Sequence, residues 1–314
     1  MAGGDCKQIR WFMGLRASDT SDYFEYVKVA LLSARQRAPS LIPYLIYSGA
    51  PNKMTAWFEL NGGTIVPHDL SFIQDFQVPG AREDLKSMSG AYLRLDVPSI
   101  VATLSLDDNI EARYVLYTDV DIMFMQDINS CTLEAPAILA LGGEGQKDKK
   151  ENTGVMYFNV TALSEKKADI VAFGKEQAWN FPAYDQGLIL AYFSQDHISQ
   201  LPPEFNWKGY WGCPESESMH IYHWHGPKPR RHLHCLLDQL LFRDTVNASE
   251  ASIMCKMGTT NLAPWIWMSP DQGACYKAAL QTFEMYSLQL QSNKVLRSSK
   301  RSPSLSSVKS LALP

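Results

Sequence analysis

Apolar runs and amphipathic stretches alternate along most of the chain. Ile9 to Met13 reads as a first strand, followed by the loop Gly14 to Asp19. Asp22 with Glu25 has the form of a capping box, opening a helix to Arg37 with Tyr26, Val29, Ala30 and Leu32 on its apolar face. Pro39 stops that helix. Leu41 to Tyr47 is a second strand, Asn52 caps a helix that stops at Asn61-Gly62-Gly63, and Thr64 to Val66 is a short third strand. This alternation predicts an α/β fold with a mostly parallel, doubly wound sheet.

Further along, Tyr92 to Val97 reads as a short helix carrying Arg94 among apolar neighbours. Tyr114 to Tyr117 is β-branched and aromatic, the signature of a buried strand. Ile138 to Leu141 is another strand, running into the polar, glycine-rich Gly142 to Lys150, which reads as an exposed loop. Asn152 to Asn159 returns to a strand, Leu163 to Gln177 is a helix, and Asp185 serves as the N-cap of a short helix. Ile221 to His225 reads as a last strand before Gly226-Pro227-Lys228-Pro229. Leu233 to Phe242 and Leu280 to Leu290 read as helices. The predicted domains are a catalytic unit over 9–232, a helical extension over 233–291, and a disordered basic tail over 292–314.

The length of 314 residues and the 46% hydrophobic content allow a large core. A net charge of −4 gives no basic balance that would argue for nucleic acid. No apolar run is long enough to cross a bilayer and no signal-peptide core opens the chain, so the reading is a soluble protein, cytoplasmic by default, or of the Golgi lumen if an upstream anchor is missing. The 6 cysteines include no Cys-x-x-Cys pair, which argues against zinc. They read as buried free thiols, with room for one or two disulfides in the final third. The sequons at Asn159 and Asn247 matter only in a secretory lumen.

The chemistry concentrates where the buried strand ends in Asp119-Val120-Asp121. Two carboxylates at a strand's carboxyl end suit a hard divalent cation that leaves positions for phosphate oxygens. Alternation along a strand would point both side chains the same way. Gly154 permits a close backbone approach, with Asn152 beside it. His223 and His225 share one face of an extended segment, and Gly226 with Lys228 can meet phosphate by amide and ammonium. Arg94 offers a guanidinium to an anionic ligand.

In order along the chain, Ala91-Tyr92-Leu93-Arg94-Leu95, Val115 to Asp121, Asn152-Thr153-Gly154, Asp185-Gln186, Leu201-Pro202-Pro203 with Asn206, and His223 with Gly226-Pro227-Lys228-Pro229 resemble the family 8 retaining glycosyltransferases, the group of glycogenin and bacterial lipopolysaccharide galactosyltransferases. The resemblance covers roughly residues 9 to 230. It implies a GT-A (Rossmann-like) fold, a single domain with a mixed, mostly parallel central sheet flanked by helices. It also implies a UDP-sugar donor, a carbohydrate, glycoprotein or glycolipid acceptor, and Mn²⁺, with Mg²⁺ as second choice. Carried onto this sequence, Asp119, Asp121 and His223 hold the metal, with His225 as the alternative. Lys228 and Gly226 meet the diphosphate, Arg94, Asn152 and Gly154 surround the donor, and Gln186 and Asp185 act at the reacting carbon. The glycine-to-lysine spacing is one residue shorter than the family's, and Arg230 or Arg231 stands in place of its tryptophan.

Two other readings compete. An inactive sugar-nucleotide-binding protein would keep the same residues without turnover. A haloacid-dehalogenase-like phosphatase also carries Asp-x-Asp after a buried strand, but has a Thr or Val where this chain has Met123.

Overall fold

The computed structural model describes residues 6–104, 107–144, 151–193, 197–212, 219–225, 229, 275–276 and 278–288. A seven-stranded sheet forms the centre, in the order β3-β2-β1-β4-β7-β6-β8. Its strands are β1 (Gln8–Arg16), β2 (Leu41–Ser48), β3 (Thr64–Pro67), β4 (Ile110–Thr118), β6 (Leu139–Gly143), β7 (Glu151–Asn159) and β8 (Ile198–Gln200). β7 alone runs against its two neighbours, and the other pairings are parallel. Alternate side chains enter two cores. Trp11, Met13, Leu116, Val155 and Tyr157 face one layer, while Phe12, Val115, Tyr117, Met156 and Phe158 face the other. Residues buried on both faces make these strands near-continuous apolar runs, as central parallel strands require.

Helices α1 (Thr20–Arg37) and α2 (Lys53–Leu60) follow the first two strands, and α5 (Val160–Glu176) and α6 (Asp185–Tyr192) follow β7. Between β3 and β4 lie α3 (Ser89–Tyr92), a 3₁₀ turn (Leu93–Asp96) and α4 (Val97–Val101). Asn52 caps α2 with a reciprocal capping box, accepting from Met54 N at 2.8 Å. The helix start read at Asp22 lies two residues earlier: β1 runs to Arg16, a 3₁₀ turn leads straight into α1 at Thr20, and Asp22 falls inside the helix. α5 begins at Val160 rather than Leu163, because the Asn159 side chain caps it, accepting from Ala162 N at 3.2 Å. Gly142 and Gly143, read as loop, are buried in β6.

A second, three-stranded sheet was not legible in the sequence. β5 (Ile122–Phe124) pairs antiparallel with β10 (Ile221–His223), and β9 (Trp207–Lys208) lies parallel beside β10. Helical residues 278–288 add Leu280 and Phe283 to the core beside Trp224. The expected helix at Leu233 to Phe242 and the basic tail lie outside the described residues.

The free-thiol reading fails for three cysteines. Cys6 and Cys131 form a disulfide across 125 residues of sequence, with Cα atoms 5.4 Å apart. Backbone geometry brings them together, since Ser130 N donates to Lys7 O at 3.0 Å and Lys7 N to Ser130 Oγ at 2.7 Å. Cys275 is disulfide-bonded as well.

Candidate functional site

β4 ends at Thr118, and the next three residues form a turn rather than a continuing strand. Asp119 N donates to Gly154 O (2.8 Å), which ties the turn to β7. Trp224 N donates to Asp121 O (2.9 Å), which ties it to the end of β10. Asp119 and Asp121 therefore converge through a turn fixed by both sheets, and not through strand alternation. Antiparallel pairing sets His223 opposite Ile122, directly beside that turn.

His223 Nε2 lies 3.9 Å from Asp119 Oδ2 and 3.8 Å from Asp121 Oδ1. The three donor atoms all fall within 4.8 Å of one another. Ligand atoms about 2.1 Å from a common ion lie about 3.0 Å apart at right angles and about 4.2 Å apart when opposed, so these spacings fit one divalent cation. The imidazole is prepared for that role from behind. Its Nδ1 lies 2.8 Å from Asn206 Oδ1. The Asn206 amide nitrogen is engaged with Gly143 O (3.0 Å) and Asn152 Oδ1 (3.2 Å), which fixes Oδ1 toward the ring. Nδ1 must then carry the hydrogen, which points Nε2 at the two carboxylates and at an ion held between them.

Arg94 is buried, and its guanidinium serves the chain's own groups. Nη2 donates to Asp119 Oδ1 (2.8 Å), Nε to Ala91 O (2.9 Å), and Nη1 to Thr153 O. Nε also lies 3.1 Å from Asp185 Oδ2. The sequence reading aimed this arginine at an anionic ligand; in the structure it lines the cavity while its guanidinium pairs with the carboxylates of Asp119 and Asp185. Asp119 is thereby divided, with one oxygen on Arg94 and the other toward His223. Asp185 is not a helix cap: it is the first residue of α6, and its side chain accepts from Thr153 Oγ1 at 2.9 Å. Burial pushes its carboxyl up to about 6, against the opposing pull of Arg94.

Asn152 and Gln186 complete this wall. Asn152 Nδ2 donates to Gln186 Oε1 (3.0 Å) and to Glu144 Oε2 (2.8 Å), while its Oδ1 accepts from Gly154 N (3.0 Å). The triad, Arg94, Asn152, Thr153, Gly154, Asp185, Gln186 and His225 line one cavity of about 380 Å³, which extends to Asp19 and Tyr23 past the end of β1. His225 is not one of the three clustered donors: its ring lies edge-on to His223 at 5.5 Å, with Nε2 3.4 Å from Glu144 Oε1. Gly226 and Lys228 lie outside the described residues.

Comparison with solved structures agrees with the topology. The apo form of the glycosyltransferase GlyE from Streptococcus pneumoniae TIGR4 matches with a TM-score of 0.51 and 18% identity, over 71% of this chain and 56% of GlyE. The galactosyltransferase LgtC, in complex with donor and acceptor sugar analogs, matches with a TM-score of 0.53 and 17% identity, over 82% of this chain and 99% of LgtC. The chain has the GT-A fold. It spans about half the length of GlyE, at 56%. No protein-family model and no curated protein matches it. Among the described residues no helix is long and apolar enough to cross a membrane.

Within this GT-A domain, sequence reasoning gave no role to three residues that the site uses. Asn206 orients His223. Lys208, wholly buried, donates to Glu144 O at 2.9 Å and lies 3.3 Å from Glu144 Oε2. Burial pushes its ammonium down to about 8, while Glu144 pulls the other way. Glu144 in turn holds Asn152. The signal for Asn206 and Lys208 was their place in a segment of aromatic and apolar residues, where a polar side chain needs a partner. Trp207, beside Asn206 and Lys208, is buried and donates to Gly212 O at 2.9 Å, which places it in the core.

Proposed function

We propose that this protein is a metal-dependent, retaining glycosyltransferase that moves a hexose or pentose from a UDP-sugar to a carbohydrate, glycoprotein or glycolipid acceptor. The observation that carries the reading is the pair of carboxylates and oriented imidazole set in the wall of a cavity that reaches the end of β1. In open α/β sheets that edge receives nucleotides. Asp119, Asp121 and His223 would hold the ion, and a set of two carboxylates with one imidazole suits Mn²⁺. Such an ion, when bound, supplies positive charge to the departing diphosphate.

The chain's own residues do the rest. Arg94 fixes one oxygen of Asp119 and so aims the other at the ion. Asn152 and Gly154 keep that wall narrow, and Gly226 with Lys228 would meet the diphosphate. Asp185 is the one nearby carboxylate that could attack the sugar, but Thr153 and Arg94 occupy its Oδ2. This supports same-face attack by the acceptor, with Asp185 and Gln186 shaping the sugar pocket. Trapping a covalent sugar adduct on Asp185 would overturn that choice. The Cys6–Cys131 disulfide favours an oxidising compartment such as the Golgi lumen over the cytoplasm.

The test is a panel of UDP-sugars incubated with and without Mn²⁺ and read by mass spectrometry. Mn²⁺-dependent release of sugar from at least one donor, lost in Asp121→Asn and His223→Ala, is the expected result. Saturable UDP binding with no turnover of any donor would favour the inactive binding protein.

A further inference from the structure

Among the described residues, the non-glycine positions with positive φ are Ala178 (49°), Trp179 (55°), Ala183 (53°) and Tyr184 (55°), all in one segment ahead of Asp185. Tyr184 combines its φ with a ψ of −114°, a region that only glycine enters readily. Backbone of this kind persists only where its surroundings hold it, and it gathers at functional sites. The first pair is anchored by Trp179, stacked on Phe72 at 5.6 Å with Nε1 donating to Asp75 O at 2.8 Å. The second pair sits at the cavity wall, and its anchor comes from elsewhere in the chain.

Arg82 and Asp84 supply that anchor. Arg82 forks onto Asp84 through Nε (3.1 Å) and Nη2 (3.0 Å). The same Nη2 donates to Tyr184 Oη at 2.8 Å, Tyr184 Oη donates to Asp84 Oδ2 at 2.5 Å, and the guanidinium lies over the Tyr184 ring at 4.3 Å. Arg82 Nη1 also donates to Phe181 O at 3.4 Å. Ion pair, stacked ring and hydroxyl thus grip one side chain together, which an exposed ion pair alone would do weakly. From Tyr184 the constraint passes directly to the site. Gln186 N donates to Ala183 O (3.2 Å) and Leu188 N to Tyr184 O (3.0 Å). Gly187 sits so close to Pro182 O that a Cβ would come within 2.1 Å of it. The turn therefore moves as one piece with Asp185 and Gln186.

We infer that Arg82 and Asp84 are positioning residues, a clasp on Tyr184 that holds the strained 183–184 turn and so sets where Asp185 and Gln186 stand in the cavity. The effect on rate rests on the glycosyltransferase reading; the grip on the backbone does not. Arg82 and Asp84 are partly exposed, so their removal leaves the core intact.

The experiment compares the full chain with Arg82→Ala, Arg82→Lys and Tyr184→Phe. Amide exchange at Gln186 and Leu188 should quicken by about tenfold in Arg82→Ala while exchange in β1 and β4 stays unchanged. The kcat for release of sugar from the donor should fall by about tenfold, with UDP–Mn²⁺ affinity within about twofold of the parent, because only the sugar-facing wall has moved. Arg82→Lys, which keeps the ion pair but not the fork, should recover part of both. Should Arg82→Ala fold poorly, Tyr184→Phe, which loses only the hydroxyl, should give the same direction in both measurements. Unchanged exchange at Gln186 would overturn the clasp, and faster exchange with unchanged kcat would overturn its positioning role. A parent protein that turns over no donor would instead refute the proposed function, and the exchange measurement would still decide whether the clasp holds the turn.

Discussion

Replacing Gly154 with alanine puts the metal-site reading to a severe test. A Cβ at this position would lie 2.3 Å from His223 Cε1, 2.7 Å from Asn152 Oδ1 and 3.0 Å from Asp119 Oδ2. None of these neighbours is the loose end of a flexible chain. The imidazole is tied to Asn206, Asn152 to the Gly154 amide, and Asp119 to Arg94. Carbon atoms in contact prefer about 3.5–4.0 Å, so the ring must retreat by about 1 Å. Overpacking of this kind costs about 1–3 kcal/mol. For a chain of 314 residues that is a Tm loss of roughly 2–5 °C. The displaced Nε2 no longer shares an ion with the two carboxylates, and loss of ligand orientation typically weakens metal binding by about 10–100-fold. Titration calorimetry with Mn²⁺, paired with thermal melts, reads both effects. Gly90→Ala is the control, since its Cβ would meet Arg16 Cγ at 3.4 Å and Asp19 Oδ2 at 3.6 Å, ordinary contacts in the same cavity. If Gly154→Ala melts early yet binds Mn²⁺ as the parent does, His223 is no ligand and the site reading fails.

Other consequences are as direct. Asn206→Ala releases the His223 ring from behind and should weaken Mn²⁺ binding by about 10–100-fold in calorimetry, with Asp119 and Asp121 untouched. The Asp185 carboxyl is raised to about 6 from an unfolded value of 3.8, so the folded state holds its proton longer and stability falls as pH rises through that interval. Asp185→Asn mimics the protonated form: in metal-free denaturant melts it should exceed the parent's stability by about 3 kcal/mol above pH 6, with the gap closing toward pH 4. Cys131→Ser should lower stability by about 2–4 kcal/mol, and a non-reducing peptide map that lacks the Cys6–Cys131 link would refute the pairing. Asn159→Ala should cost about 1 kcal/mol through loss of the α5 cap, and Asn159 should stay unglycosylated in a secretory host because its amide is buried in that cap.

What the sequence disclosed, and what it hid, follows from distance along the chain. The alternation of strands and helices is local, so α2 could be read to its ends, and the centres of β1 and β4 were found although β1 runs on to Arg16 and β4 starts at Ile110. Asp119 and Asp121 stood out because a buried strand leads into them. The strand at Ile221 to His223 was read, but the three-stranded sheet was not, since β5 and β9 are three and two residues long and acquire meaning only when paired with β10 across the chain. The same holds for Arg94, whose partners Asp119 and Asp185 lie far from it in sequence, and for Cys6 with Cys131. The strain at Ala183 and Tyr184 left no compositional trace, because no glycine marks the positions where one would be expected.

The pairing of β5 with β10 has a temporal consequence. Asp121 is synthesised in the first half of the chain, and its imidazole partner arrives only with β10, close to the end of the sheet-forming sequence. Contacts so remote close late in folding. A ribosome-bound chain could thus assemble β1 to β4 and still capture no cation, and ion capture would mark the moment at which the last strand has docked.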